Sequence, residues 1–308
     1  MFRSFYNFLL FLLLINSTTA FSQNDSTAPK TNRNKKIVLA ASSTALAGGS
    51  LVFLSKAWYL QYNNGKFHAF NDNDEWLQMD KAGHFWSTYN SGRLMMDAFD
   101  WAGFTKKQKL MYGGTIGFAY MTCIEVMDGF SKGWGFSYGD MLANSLGCAT
   151  AISQEAAWNE QRIFIKYSYH KSNYADYNPT LLGENFSQKI LKDYNAQIYW
   201  VSFSPFAFIQ KDTKFPKWLA ISFGYGAHGM VRGKEDFITY SSNTPPIVEY
   251  TVQFDRVRDF YLSLDIDLTK IKTKSKTLKT IFTCLNTLKI PAPSIGFNKN
   301  GSTFYWLR

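Results

Sequence analysis

The sequence predicts an α+β fold: an N-terminal bundle of three to four helices followed by an antiparallel, barrel-like β-domain. Three observations predict it. Apolar residues recur at helical spacing between Asp80 and Glu155, and after about Gln161 the period falls to two. In this 308-residue chain, 46% is hydrophobic, which excludes a disordered polymer and allows a buried core without disulfide staples. Aromatic residues reach 18% while charged residues, also 18%, fall below the roughly 25% of an ordinary soluble domain. Few charges with many Tyr and Trp predict a protein in or beside a membrane.

The elements follow in order. Arg3, the apolar run from Phe8 to Ile15 and the small residues after Ser17 have the composition of a secretory signal peptide, residues 1–23. Its apolar core is too short to cross a bilayer. No cysteine lies near the cleavage region, so lipid attachment there is not expected. Residues 24–36 are polar and read as a flexible spacer. Residues 37–54 carry no charge and follow Lys35 and Lys36, with Trp58 and Tyr59 beyond. That run suits either a membrane-crossing helix with an aromatic belt or a tightly packed bundle helix.

The helical domain is expected to span residues 37–158. After the turn-rich stretch 63–79, a first helix runs from Asp80 to Trp101. A second begins at the capping box Thr105-Lys-Lys-Gln108 and runs to about Met127. A third begins at Ser137, with Asp140 three residues later. The β-domain is expected over residues 159–308. Ile163, Ile165, Tyr167 and Tyr169 alternate with other residues, as do Leu219 to Ala227. Phe260, Leu262, Leu264 and Ile266 alternate with Ser263, Asp265 and Asp267. Further strands are expected near 197–204, 247–254, 293–298 and 302–307, with a Lys-rich helix at 275–288. Such a sheet either rests in a membrane or forms a periplasmic barrel-like domain.

The net charge is +10, and Lys270, Lys272, Lys274, Lys276 and Lys279 supply half of it. Those lysines read as a solvated face or as a contact with anionic lipid headgroups. A membrane lipid or envelope component is the expected partner, and neither nucleic acid nor nucleotide is expected in an exported chain. Cys123, Cys148 and Cys284 are odd in number, so at least one thiol is free.

The chemistry-bearing residues cluster on the three helices. Asp80 and His84 are four apart, Glu125 and Asp128 three apart, and Asp140 and Asn144 four apart, so each pair shares a helix face. Ser137 precedes the third pair. Each residue alone also fits a cap, a surface position or a satisfied core histidine. Together, polar groups on otherwise apolar helices are expected to meet in the bundle interior, because burying them unpaired costs roughly 2–7 kcal/mol each.

Asp80-Lys-Ala-Gly-His84-Phe85, Glu125-Val-Met-Asp128-Gly and Ser137-Tyr-Gly-Asp140-Met-Leu-Ala-Asn144-Ser-Leu-Gly147 together resemble the YfiM family of predicted periplasmic lipoproteins. They are more distantly similar to VanZ-like membrane proteins. The resemblance implies an envelope location and a helical motif domain, without a reaction. Two functions follow as expectations. One is a non-enzymatic envelope protein, periplasmic or outer-membrane associated, with a buried polar network joining the helices. The other is a hydrolase or transferase acting on an envelope lipid or cell-wall precursor. In it, Asp80, His84, Glu125, Asp128 and Asp140 act as acids, bases or ligands to a divalent metal, Zn²⁺ or Mn²⁺. His84, Asp80, Glu125 and Asp128 form the expected metal set, and Ser137 and Asn144 the expected binding residues. No Gly-rich phosphate loop, GxSxG elbow or HExxH helix is present.

Overall fold

Helices form where small and apolar residues alternate at helical spacing, and strands where β-branched and aromatic residues alternate in twos. The computed structural model describes residues 33–55, 66–209, 215–241 and 249–308. The expected signal peptide and most of the spacer lie outside these residues. Five main helices are described: α1 (Arg33–Leu54), α2 (Met79–Trp101), α3 (Ile116–Gly129), α4 (Tyr138–Trp158) and α5 (Lys276–Leu285). Eight strands follow α4: β1 (Ile163–Tyr169), β2 (Gln197–Phe203), β3 (Leu219–His228), β4 (Phe237–Ser241), β5 (Glu249–Gln253), β6 (Val257–Ile266), β7 (Ser294–Asn298) and β8 (Gly301–Tyr305).

The three motif helices pack closely because glycines stand at their crossings. A Cβ on Gly147 of α4 would lie 2.6 Å from the Phe85 carbonyl of α2, and one on Gly117 of α3 would lie 2.6 Å from the Thr88 carbonyl. The expected second helix is not continuous. Its capping box at Thr105 is present, but the chain then makes a wide π turn at Lys109–Gly113 before α3 begins. Just beyond the turn, Gly114 lies against α4, where a Cβ would meet Ile152 at 2.5 Å.

Helix α1 is long and apolar enough to cross a membrane, and only 11% of its apolar window is buried. Leu39 packs against Phe99 and Ala102, and the Ser50 hydroxyl lies 2.8 Å from that of Tyr120. It therefore lies along the bundle with most of its surface uncovered, and is not a core helix.

The fold is α+β, but the barrel expectation is corrected. The main sheet is antiparallel in the order β1-β2-β3-β6-β7-β8, with a separate β4-β5 hairpin, and it stays open. The edge where closure would occur is occupied. Tyr167 of β1 donates to the Thr287 carbonyl at 3.0 Å and accepts from the Lys289 amide at 2.8 Å, so the segment after α5 covers that edge. Strand β4 was not expected from the sequence; its run is short and pairs only with β5.

Alternation in this sheet is inverted relative to a soluble sandwich. In β6, Asp259, Tyr261, Ser263 and Asp265 are buried while Phe260, Leu262 and Leu264 are exposed. The buried side is concave. Lys166 of β1 reaches Asp265 of β6 at 2.8 Å, both side chains fully buried, and Ser202 of β2 donates to the same carboxylate at 2.6 Å. Contact between strands separated by two others requires a strongly curled sheet. The bundle covers the β1 end of the opposite side, where Ile165 joins Tyr89, Met96 and Ala151 in one cluster. The Asn90 amide of α2 donates to the Ile165 carbonyl at 2.9 Å, and the Tyr89 hydroxyl to that of Ile163 at 2.8 Å.

Candidate functional site

The start of α2 is fixed by an unusual turn. Trp76, Leu77 and Gln78 all have positive φ, of 47°, 49° and 63°. Left-handed non-glycine residues cost about 1–2 kcal/mol each, so neighbouring groups must hold them. The Trp76 amide donates to the Gly233 carbonyl at 2.8 Å, Arg258 of β6 donates to the Gln78 side chain at 2.8 Å, and the Tyr225 hydroxyl of β3 donates to the Leu77 carbonyl. The sheet thereby sets where Asp80, Lys81 and His84 begin.

Two polar groups meet at the bundle end. In the first, the Lys81 ammonium lies 2.6 Å from Asp72, 2.9 Å from Asp80 and 3.1 Å from Asp140. Ser137 ties this group to the cap of α4: its hydroxyl accepts from the Asp140 amide at 3.1 Å and donates to Asp72 at 2.6 Å. In the second, His84 Nδ1 lies 3.2 Å from Asn144 Oδ1 and 3.4 Å from Glu125 Oε1. Glu125 Oε2 accepts from the Ser137 amide at 3.1 Å, and Thr88 donates to Asn144 Oδ1 at 2.9 Å. His84, Glu125 and Asp140 each offer a ligand atom, all within 4.8 Å of one another, and Asp72, Asp80 and Asp140 do the same. Asp140 belongs to both groups.

The second group is incomplete by itself. Glu125 Oε1 and Asn144 Nδ2 are buried without a hydrogen-bond partner, and Asp140 Oδ1 is met only by the Lys81 ammonium. Burial, with the nearby Asp140 and Asp128 carboxylates, pushes Glu125 up to about 9, so it is protonated at neutral pH. Burial and Asp140 push Asp80 up to about 7, although Lys81 opposes this. Burial holds His84 below the usual histidine range, so its ring is neutral and the His84–Glu125 contact is not an ion pair. Asp72, Asp80 and Asp140 thus share one ammonium, and the excess negative charge is relieved by protons or by a further cation.

The structure brings together six of the seven residues expected from the sequence: Asp80, His84, Glu125, Ser137, Asp140 and Asn144. Asp128 lies one turn beyond Glu125 and belongs to neither ligand group. Of the expected metal set, His84 and Glu125 share a group; Asp80 falls in the other, beside Lys81, and Asp140 takes the place expected for Asp80 and Asp128. Sequence reasoning missed Asp72 and Lys81. Asp72 stands in the turn-rich Asn71-Asp-Asn-Asp74 stretch, where nothing in the spacing points inward. Lys81 carried a signal: a lysine within the helical motif, beside an acid also expected inside. All three cysteines are unpaired.

A second polar region lies on the concave side of the sheet. A cleft of about 540 Å³ is lined by His170, Tyr174, His228, Asp259, Tyr261 and Arg308 among others. His228 lies 2.6 Å from Asp259, which also accepts from Asn298 at 2.8 Å.

Residues 68–155 match the family model of DUF2279, described as a predicted periplasmic lipoprotein. The matched stretch contains both polar groups and stops before β1. It supports an exported protein of the cell envelope, in keeping with the expected resemblance at the level of a predicted periplasmic lipoprotein family. Comparison with curated proteins and with solved structures gives no match.

Proposed function

We propose that this chain is an exported envelope protein whose helical domain binds a divalent transition metal through His84, Glu125 and Asp140. One observation carries the reading: Glu125 Oε1 is buried without a hydrogen-bond partner beside a neutral imidazole, and Asp140, whose Oδ1 meets only the Lys81 ammonium, offers a further oxygen within 4.8 Å of both. One imidazole with two carboxylates suits Zn²⁺ or Mn²⁺. Asn144 positions the His84 ring, as outer partners of metal-bound histidines do. Lys81 with Asp72 and Asp80 forms the ionic frame that locks α2 to α4. The YfiM-like and more distant VanZ-like reading of the motif, and association with the outer membrane, belong to the same proposal. A second reading is a metal-dependent hydrolase or transferase acting on an envelope lipid or wall precursor. It is favoured by the small ligand set, which leaves coordination positions for water, and by the partial exposure of His84.

Calorimetry with Zn²⁺ and Mn²⁺ on the full chain tests the binding reading. One equivalent per chain with Kd below about 10 μM is expected, weakened at least tenfold by His84→Ala and unaffected by Asp128→Asn. Folded wild-type protein that takes up neither ion leaves only the structural network.

A further inference from the structure

From the α5 region we propose a second site: a docking surface for an anionic lipid leaflet, independent of the metal centre. The sequence after Asp267 contains no acidic residue, yet it holds Lys270, Lys272, Lys274, Lys276, Lys279, Lys289, Lys299 and Arg308. Most of the chain's net charge of +10 therefore comes from its last segment. Lys270 pairs with Glu160 at 2.6 Å and Lys289 is buried in the sheet, but Lys272, Lys274, Lys276 and Lys279 are exposed, with no acid paired to them among the described residues.

Helix α5 presents the apolar half of the surface. Ser275 caps it by accepting from the Leu278 amide at 3.3 Å. Leu278, Ile281 and Leu285 recur at spacings of three and four and are 44–45% exposed, and no residue of the helix is buried. Lys276 and Lys279 fall on the other face. The helix is about 15 Å long, too short to cross a bilayer. Its C-terminal end is held to the body: Arg93 of α2 donates to the Thr283 carbonyl and Trp86 to that of Thr287, each at 3.2 Å. An amphipathic helix with a lysine-rich approach and an uncovered apolar stripe suits a membrane interface, where the apolar face enters the headgroup boundary and the ammonium groups meet lipid phosphates. Four unpaired positive charges select an anionic surface over a second copy of this chain, whose α5 would bring the same charges.

Vesicle flotation of the full chain tests this, comparing neutral phosphatidylcholine vesicles with vesicles holding roughly 30% phosphatidylglycerol. The uncharged run 37–54 of α1 binds both kinds of vesicle alike, and Arg33, Lys35 and Lys36 at the start of α1 are common to wild type and to the lysine variant below, so that variant reports on the α5 region. Binding at least tenfold stronger to the anionic vesicles is expected, lost in roughly 0.5 M salt. Replacing Lys272, Lys274, Lys276 and Lys279 by Gln is expected to weaken binding to the anionic vesicles at least fivefold and to leave binding to the neutral vesicles unchanged. Ile281→Ser with Leu285→Ser, at exposed positions that leave the fold intact, is expected to weaken it severalfold while preserving its salt dependence. Equal binding to both vesicles, unchanged binding by the four-lysine variant, or a lysine effect seen on duplex DNA but not on vesicles overturns the proposal.

Discussion

Glu125 shows how far position alone can change a side chain. On a helix surface it would be an ordinary carboxylate, whereas here desolvation and neighbouring acids keep it protonated. A metal entering the His84 group must displace that proton. Zn²⁺ binding near pH 7 is therefore expected to release close to one proton per chain and to strengthen as pH rises from 6 toward 9, which calorimetry in buffers of different ionisation enthalpy measures. Glu125→Gln should remove the release. Lys289 shows the opposite case. Burial between the Leu264 and Ile290 carbonyls pushes it down to about 8, with Asp265 opposing and Lys166 adding to the shift. Its folded form binds fewer protons than the unfolded chain between pH 8 and 10.5, so its contribution to stability grows with pH across that window. Urea unfolding should show the difference between wild type and Lys289→Met rising there by about 1–3 kcal/mol. A flat difference means that Lys289 titrates normally.

At the scale of elements, helix ends and crossings place the site. Ser137 works twice, capping α4 and tethering Asp72. Ser137→Ala is expected to cost about 1–2 kcal/mol of stability, read by urea unfolding, and to loosen the Asp72 turn, read as faster amide exchange there. Gly147 permits the α2–α4 approach that brings His84 to Asn144. Gly147→Ala forces a methyl onto the Phe85 carbonyl and should cost about 1–3 kcal/mol, together with metal affinity. A Gly147→Ala protein of wild-type stability would mean that the helices are not held this closely. The helices themselves were legible in the sequence, because the Ser137 cap, the Thr105 capping box and the glycine-ended second helix are local signals. The interruption at Lys109–Gly113 was not, since no local signal in that run marks a wide turn.

Across the whole molecule, the curled sheet reverses the usual sidedness. Its concave side joins Lys166, Asp265 and Ser202 in a dry network, while Phe223, Phe260 and Leu264 are more than half exposed on the convex side. Breaking the inner pair should therefore be far more damaging than altering the outer face. Lys166→Met is expected to cost about 3 kcal/mol because it leaves the buried Asp265 carboxylate with only the Ser202 hydroxyl and the more distant Lys289 ammonium, at 4.0 Å, whereas Leu264→Thr should cost about 0.5 kcal/mol or less in water. Comparable losses in chemical denaturation would contradict the inverted arrangement.

The sequence by itself determined the periods of both halves, the helix caps, the envelope character of the chain and the gathering of Asp80, His84, Glu125, Asp140 and Asn144. These rest on local spacing and on the cost of burying polar groups among apolar neighbours, which the chain declares residue by residue. Only the tertiary structure decided that the sheet stays open, because closure depends on a segment more than a hundred residues from β1 lying along its edge. It also decided that Lys81 and Asp72 join the polar cluster at the bundle end and that Asp128 lies outside both ligand groups. Alternation tells a strand that it has two faces, but which face meets protein is set by what packs against it.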